Sequence, residues 1–366
     1  MITADPEQKA PQCGHPVKLL QRRNLVCDDV ASCQLICLSA GLLLHTKDWM
    51  TKHHNHMVYK MYEHNIFKII LIFFMVAVYI VMVAFNAGAG SGLMMGIFLN
   101  RVGNISDNFG TDFTPSGWTF MIWNVIFAWQ FLWLGYVLSG ICRRSELGWM
   151  YLKPDVFPIL FYIVWILNNI LNIGWLFLWD RGFLIPALVF LGLIALTNHI
   201  VLFISYRALY LHGEWFYRQR RVDLWLIRVF AHNGIAVYAT WTTIACLLNF
   251  AVALTYRDNI LNSTSTTVCL SILAFEVILW FCLENFLFDK YVRYTLTVYP
   301  VVIVALSGAL DKNFDENNPD RNDIYIAVLL AVACALFVLR LALVIWRHFK
   351  QPLYTRASNK TSFPLA

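Results

Sequence analysis

Apolar residues fall along the chain in eight blocks, at 66–85, 118–138, 156–179, 183–205, 229–256, 268–288, 295–310 and 324–346, each bounded by short polar stretches. About 20 helical residues cross a hydrocarbon core of about 30 Å, so the pattern predicts an all-α polytopic membrane protein with about eight transmembrane helices. The block at 295–310 is the shortest of them. A further apolar stretch, 31–44, is too short to span and is expected to lie at an interface or buried. Four parts follow from this reading: an N-terminal arm at 1–65, a five-helix core at 66–256, three additional helices at 257–346 and a tail at 347–366. The opening MITADPEQKA lacks the basic and apolar regions of a cleaved signal peptide, so the first span is expected to insert itself.

Composition sharpens the class. With 59% hydrophobic and only 14% charged residues, against about 25% charged in an ordinary soluble domain, the charges cannot coat a compact body of 366 residues. A soluble globule, a secreted disulfide scaffold, a disordered chain and a nucleic-acid module are all excluded, the last because the net charge of +6 is spread over short loops. Sorting Lys and Arg by the eight spans puts 22 on one side and five on the other, with Arg340 inside the last span. The positive-inside rule then places both termini in the cytoplasm.

Two sequons, Asn104-Ile105-Ser106 and Asn262-Ser263-Thr264, fall on the opposite side, where glycosylation acceptors belong, which points to the secretory pathway or the plasma membrane. A third, at Asn359, falls in the cytosolic tail and should be silent. None of the nine cysteines lies in an outside loop, so structural disulfides are not expected.

Three spans carry stripes of aromatic and amide residues. After the turn at Pro115, Ser116 and Gly117, the second span aligns Phe120, Trp123, Phe127 and Gln130 at spacings of three and four. The third aligns Asn168, Asn172, Trp175 and Trp179; the fifth places Tyr238, Trp241, Ala245 and Asn249 within about 80° of one another around the helix. An amide in lipid is costly without a partner, so these stripes should face inward. Taken singly, such residues serve as bonds between helices and as filling. Taken together, flat rings with a few amides are what a pocket for a planar apolar ligand requires.

The run Phe113 to Trp123, the Asn172-Ile173-Gly174-Trp175 segment and the Tyr238, Trp241, Ala245, Asn249 series resemble the TspO/MBR family, the tryptophan-rich sensory proteins and translocator proteins. Ser106, Asp107, Thr114, Pro115, Gly117, Phe120, Ile122 and Trp123 match the entry into its second span in the longer, bacterial-type branch. The resemblance covers about 66–256 and implies a five-helix fold that binds porphyrins, including haem, or sterols among its helices, often as a homodimer. It would also allow a mitochondrial outer membrane. The arm and the three later spans depart from the compact members of the family. On this reading Trp118, Trp123, Trp175 and Trp241 stack on the ligand together with Phe120 and Phe127. Asn124, Asn172 and Asn249 orient it, Tyr238 does either, and Asn168 and Ala245 complete the lining.

Other chemistry is sparser. Glu276 and Glu284 lie in the sixth span and Arg340 in the eighth, and ionisable groups in a membrane are functional candidates because they are expensive there. Glu284 is expected near the cytoplasmic end and Arg340 to snorkel toward Arg347, leaving Glu276 as the deep candidate for proton or ion coupling. A proton-coupled transporter or receptor built on the later helices is therefore the alternative function. Asn198 and His199 are expected to bond between helices, with haem ligation by His199 as the alternative. His53, His54 and His56, with His45 and His64 nearby, are expected to be solvated, with metal or haem binding as the alternative, and Cys13, Cys27, Cys33 and Cys37, candidates for acylation or metal binding, form no Cys-x-x-Cys pair. No Walker loop, GxSxG, HExxH or kinase signature is present, so the sequence displays no enzymatic apparatus.

Overall fold

Asn65 opens the first long helix: its side-chain oxygen accepts the Lys68 amide at 3.0 Å, satisfying a donor that a helix start leaves without a partner. Within α1 (Ile66–Ser91), Ile72, Met75, Tyr79 and Met82 are buried at helical spacing while Phe73 and Phe74 stay exposed, as on a helix with one face to the protein and one to lipid. The computed structural model describes residues 63–354 apart from 93 and 95. The apolar stretch 31–44, the arm cysteines, the histidines before His64 and Asn359 lie outside the described residues. Among the described residues the order continues with α2 (Val102–Asn108), α3 (Gly117–Cys142), a small hairpin of β1 (Arg144–Ser145) and β2 (Gly148–Trp149), α4 (Ile159–Asp180) and α5 (Leu184–Gln219). Then come α6 (Arg221–Tyr256), α7 (Asn262–Leu287), α8 (Asp289–Val292), α9 (Val298–Asn313) and α10 (Arg321–Lys350).

Seven of these helices, α1, α3 to α7 and α10, are long and apolar enough to cross a membrane. This is the all-α polytopic fold expected from the apolar blocks. Sharp stops separate the spans. At the end of α4, Gly182 takes φ +69°, a left-handed conformation that suits glycine, and the chain reverses directly into α5. Asp180 caps that corner from beside it, accepting the amides of Leu99 at 3.0 Å and Asn100 at 2.9 Å and pairing with Arg181. At the start of α10, Asp320 and Asp323 form a reciprocal capping box.

The block expected at 295–310 is α9, a helix of 16 residues, about 24 Å long at 1.5 Å per residue. It is short because protein covers both of its ends. On one side Asn233 of α6 accepts the Leu296 amide at 2.8 Å and, through its backbone carbonyl, the Thr297 hydroxyl at 3.0 Å. On the other, the Gly308 carbonyl accepts the Ser116 amide at 2.9 Å, and Asp311 accepts the Ser116 hydroxyl at 2.7 Å and the Trp118 indole N–H at 2.9 Å. A Cβ at position 308 would run into Thr119, so glycine is what lets the first turn of α3 lie against α9. Tyr299, Val302 and Leu306 are buried, and α9 packs on α6 and α10.

Arg340 does not snorkel. It is fully buried, 3.3 Å from the equally buried Glu284 of α7, and it donates to Asn285 at 2.8 Å and to the carbonyls of Val292 and Arg293 at 3.2 and 3.3 Å. Glu284 also receives the Tyr299 hydroxyl, which ties in α9. The reason lies in α7, whose last turns, Leu283–Leu287, widen to a π-helix and bring Glu284 and Asn285 onto the interior face.

Next to this pair, Asp289 of α8 holds Arg293 and Arg347, the latter at 2.7 Å. Burial works against ionisation of Asp289, but the two guanidinium groups outweigh it and hold its carboxyl below the ordinary 3.8. A depressed carboxylate contributes stability above its unfolded-state value, and that contribution is lost as pH falls through the folded one. Asp289→Asn is therefore expected to lower the melting temperature at neutral pH, with the gap to wild type closing as pH falls below 3.8. Melting curves at a series of pH values check this; a gap that widens in acid would contradict it.

Candidate functional site

The stripes predicted on the second, third and fifth spans meet. Phe120 and Trp123 of α3, Trp175 and Trp179 of α4, and Trp241, Ala245 and Asn249 of α6 line one narrow cleft with a volume of about 40 Å³. Its remaining wall comes from Val102 and Ser106 of α2, Thr114 and Pro115 in the turn before α3, and Leu248 and Val252 of α6. Helix period explains the contribution of α6: Trp241, Ala245, Leu248, Asn249 and Val252 recur at three and four residues, so one face supplies them all.

Trp123 is the centre of the aromatic wall. Its ring lies 6.4 Å from Trp175 at 28°, 5.6 Å from Phe127 at 27°, 5.9 Å from Tyr238 at 69° and 6.3 Å from Trp241 at 89°. Trp175 in turn lies near-parallel to Trp179, 6.2 Å away at 16°. The cleft thus offers near-parallel faces along α3 and α4 with the edge of α6 across them. These centroid separations suit offset aromatic packing, and a flat apolar molecule can add to such a series face to face.

Polar atoms around the cleft divide into two kinds. Asn172, expected to orient a ligand, does not line the cleft and is fully engaged behind it: its side-chain oxygen accepts from Asn86 of α1 at 2.7 Å and its amide donates to the Tyr238 hydroxyl at 3.0 Å, so it locks α1, α4 and α6 together. Three others are not. The indole N–H groups of Trp175 and Trp241 and the side-chain oxygen of Asn249 are buried without a hydrogen-bond partner. The Asn249 amide is spent on the Ala245 carbonyl at 3.0 Å. A buried polar group without a partner costs about 1–3 kcal/mol, and two such donors and one such acceptor belong to residues that line this cleft.

Several residues expected at the site lie elsewhere. Trp118 is 48% exposed and bonded to Asp311 of α9. Asn124 is exposed on the outer face of α3. Asn168 donates to the Ile194 carbonyl at 3.0 Å and the Thr197 hydroxyl at 2.8 Å, which binds α4 to α5. Phe127 and Tyr238 back Trp123 without lining the cleft. Trp179, Val102 and Ser106 were not among the expected lining residues. Trp179 had a signal, since it sits one turn beyond Trp175 on the same stripe, whereas nothing in the spacing of the loop after α1 indicates that α2 folds over the cleft.

Glu276 faces a different cavity, between α5, α6, α7 and α9. Asn198 and His199 reach Thr242 and Thr243 of α6 at 3.3 and 3.2 Å, as expected of inter-helix partners. The two sequon asparagines share the same end of the bundle but not the same state. Asn104 is exposed on α2, while the Asn262 amide donates to Asp112 at 2.6 Å. His64 stacks on Trp149 with centroids 3.9 Å apart, and among the described residues no group of three His, Cys, Asp or Glu side chains is placed to hold a metal ion.

No curated protein and no solved structure matches the chain. A comparison with protein-family models matches residues 68–345 to the TSPO-like protein family, a range that runs from the first turn of α1 through most of α10 and so includes both the tryptophan cleft and the later helices. With three-quarters of its length matched and the tryptophan stripes of α3, α4 and α6 converging as that resemblance implied, the chain belongs to the TSPO-like family of helical membrane proteins.

Proposed function

We propose that the protein binds a planar hydrophobic ligand of the porphyrin or sterol class in the tryptophan cleft, as the first step of transporting or sensing it. The observation that carries this reading is the pair of unpartnered indole N–H groups on Trp175 and Trp241, set with the unpartnered Asn249 oxygen in a cleft walled by near-parallel rings. The rings supply stacking area, the N–H groups meet a carboxylate or hydroxyl oxygen at the ligand's edge, and Asn249 accepts from a hydroxyl.

Titration of protoporphyrin IX or cholesterol into the purified protein is expected to change its tryptophan fluorescence saturably at micromolar concentration. Trp175→Phe and Trp241→Phe keep a ring in place and remove one donor each. Each should weaken binding about fivefold, the loss of one hydrogen bond of about 1 kcal/mol. A flat titration with both ligands overturns the proposal.

We also place both termini in the cytoplasm and the protein in a secretory-pathway or plasma membrane, on the distribution of Lys and Arg. In that orientation Asn104 is presented as a glycan acceptor while the Asn262 amide is occupied by Asp112. Protein expressed in eukaryotic cells is expected to show a glycosidase-sensitive shift on gels that Asn104→Gln removes and Asn262→Gln leaves. A wild-type protein without any such shift contradicts this placement.

A further inference from the structure

The tryptophan cleft is not the only empty space among the described residues. A larger cavity of about 250 Å³ lies between α5, α6, α7 and α9, on the face of α6 carrying Ala239 and Thr243 rather than Trp241 and Ala245. Its walls are mostly apolar, Leu273 and Val302 among them, and Glu276 of α7 projects into it. The Glu276 side chain makes no hydrogen bond and no ion pair among the described residues, and one carboxyl oxygen is buried without a partner.

The neighbours do not meet its need. Among the described residues no Lys or Arg lines the cavity; the His199 ring meets the Thr243 hydroxyl at 3.2 Å, and Arg340 is taken by Glu284 and Asn285. A carboxylate inside a membrane span is expensive and is stabilised by a positive partner, which no described residue lining this cavity supplies.

We propose that this cavity is a second ligand site, for a lipophilic amine whose protonated nitrogen pairs with Glu276 while its apolar body fills the space between α6 and α9. The donor set argues for an organic cation. A hard metal ion wants six or more oxygens, and one carboxylate with the hydroxyls of Thr240 and Thr243 falls well short. An ammonium group carrying apolar substituents needs only a counter-charge and an apolar wall. Trp280, one turn along α7 from Glu276, adds an aromatic face suited to a cation. The volume of about 250 Å³ lies just below the range of sites that enclose a drug-sized molecule, so a compact amine fits it best. This assignment does not depend on what the tryptophan cleft binds.

Imipramine, a tricyclic tertiary amine, and the same tricycle carrying a propyl chain without the amine are the two probes. With the full-length protein in nanodiscs, isothermal titration is expected to show saturable imipramine binding at least tenfold tighter than that of the neutral analogue. Glu276→Gln should weaken imipramine binding at least tenfold with the protoporphyrin titration and the melting temperature unchanged, whereas Glu276→Asp should retain most of the affinity. Absence of saturable imipramine binding to wild type, equal binding of the two probes, or unaltered imipramine affinity in a folded Glu276→Gln protein would each overturn the proposal. The comparison of probes on wild type needs no variant, so a misfolded Glu276→Gln protein leaves the test intact.

Discussion

Arg340→Met is expected to cost about 3–5 kcal/mol, enough to shift the protein from a single peak to aggregate when solubilised and gently heated. The side chain it removes is fully buried and serves at once the Glu284 carboxylate at 3.3 Å, the Asn285 side chain at 2.8 Å and the carbonyls of Val292 and Arg293. Methionine of similar length fills the volume but leaves the buried Glu284 carboxyl without its cation, still receiving the Tyr299 hydroxyl. The cost comes from the orphaned charge rather than from lost attraction. Arg340→Met combined with Glu284→Gln should therefore recover a large part of the loss, even though it removes both charges. Size-exclusion melting curves of the two variants decide the matter; a single variant within about 1 kcal/mol of wild type would mean that water reaches Glu284.

Ala245→Phe is expected to abolish saturable protoporphyrin quenching, a loss of at least tenfold, while leaving the fold intact. Ala245 lies between Trp241 and Asn249 on the cleft-facing side of α6, so the added ring grows into the cleft. Overpacking of a filled core costs about 1–3 kcal/mol, and an open cleft spares most of that. The variant occupies the volume a ligand would take without touching the donors of Trp175 and Trp241. Unchanged porphyrin affinity in folded Ala245→Phe protein would move the binding site away from this cleft, and the same variant should leave imipramine binding unaltered because the Glu276 cavity lies on the other side of α6.

The two sites differ in how far they could be read from residues alone. Trp123, Trp175, Trp241, Ala245 and Asn249 were assignable to one cleft because each sits on a stripe of helical period, and a stripe mixing tryptophan with asparagine is poorly explained by contact with lipid. The same stripes also contained Asn168, which bonds α4 to α5, and Phe127 and Tyr238, which support the wall from behind. Periodicity reports the face of a residue, not the neighbour that face meets. Glu276 was legible as a deep carboxyl, but its cavity was not, because the space is made by the relative positions of α5, α7 and α9, which are far apart in sequence. Arg340 was misplaced for a related reason: a long side chain in a terminal span can reach an interface or a partner with equal ease. Only the π-helical turn that brings Glu284 inward selects the partner.

The sequence by itself determined that the chain is helical, that it spans a membrane several times, which faces of α3, α4 and α6 carry rings and amides, and to which family it belongs. These follow from local quantities: the length of an apolar run against the thickness of a bilayer, and the angle of about 100° between successive residues of a helix. The tertiary structure decided which faces meet, that the 16-residue α9 packs between α6 and α10, that α2 lines the tryptophan cleft, and that Glu276 looks into an apolar cavity without a partner among the described residues. Those depend on the rotation and tilt of each helix about its neighbours. Leucine and isoleucine satisfy lipid and protein interior alike, so apolar pattern leaves that rotation open until small residues such as Gly308, and the few buried polar bonds, set it.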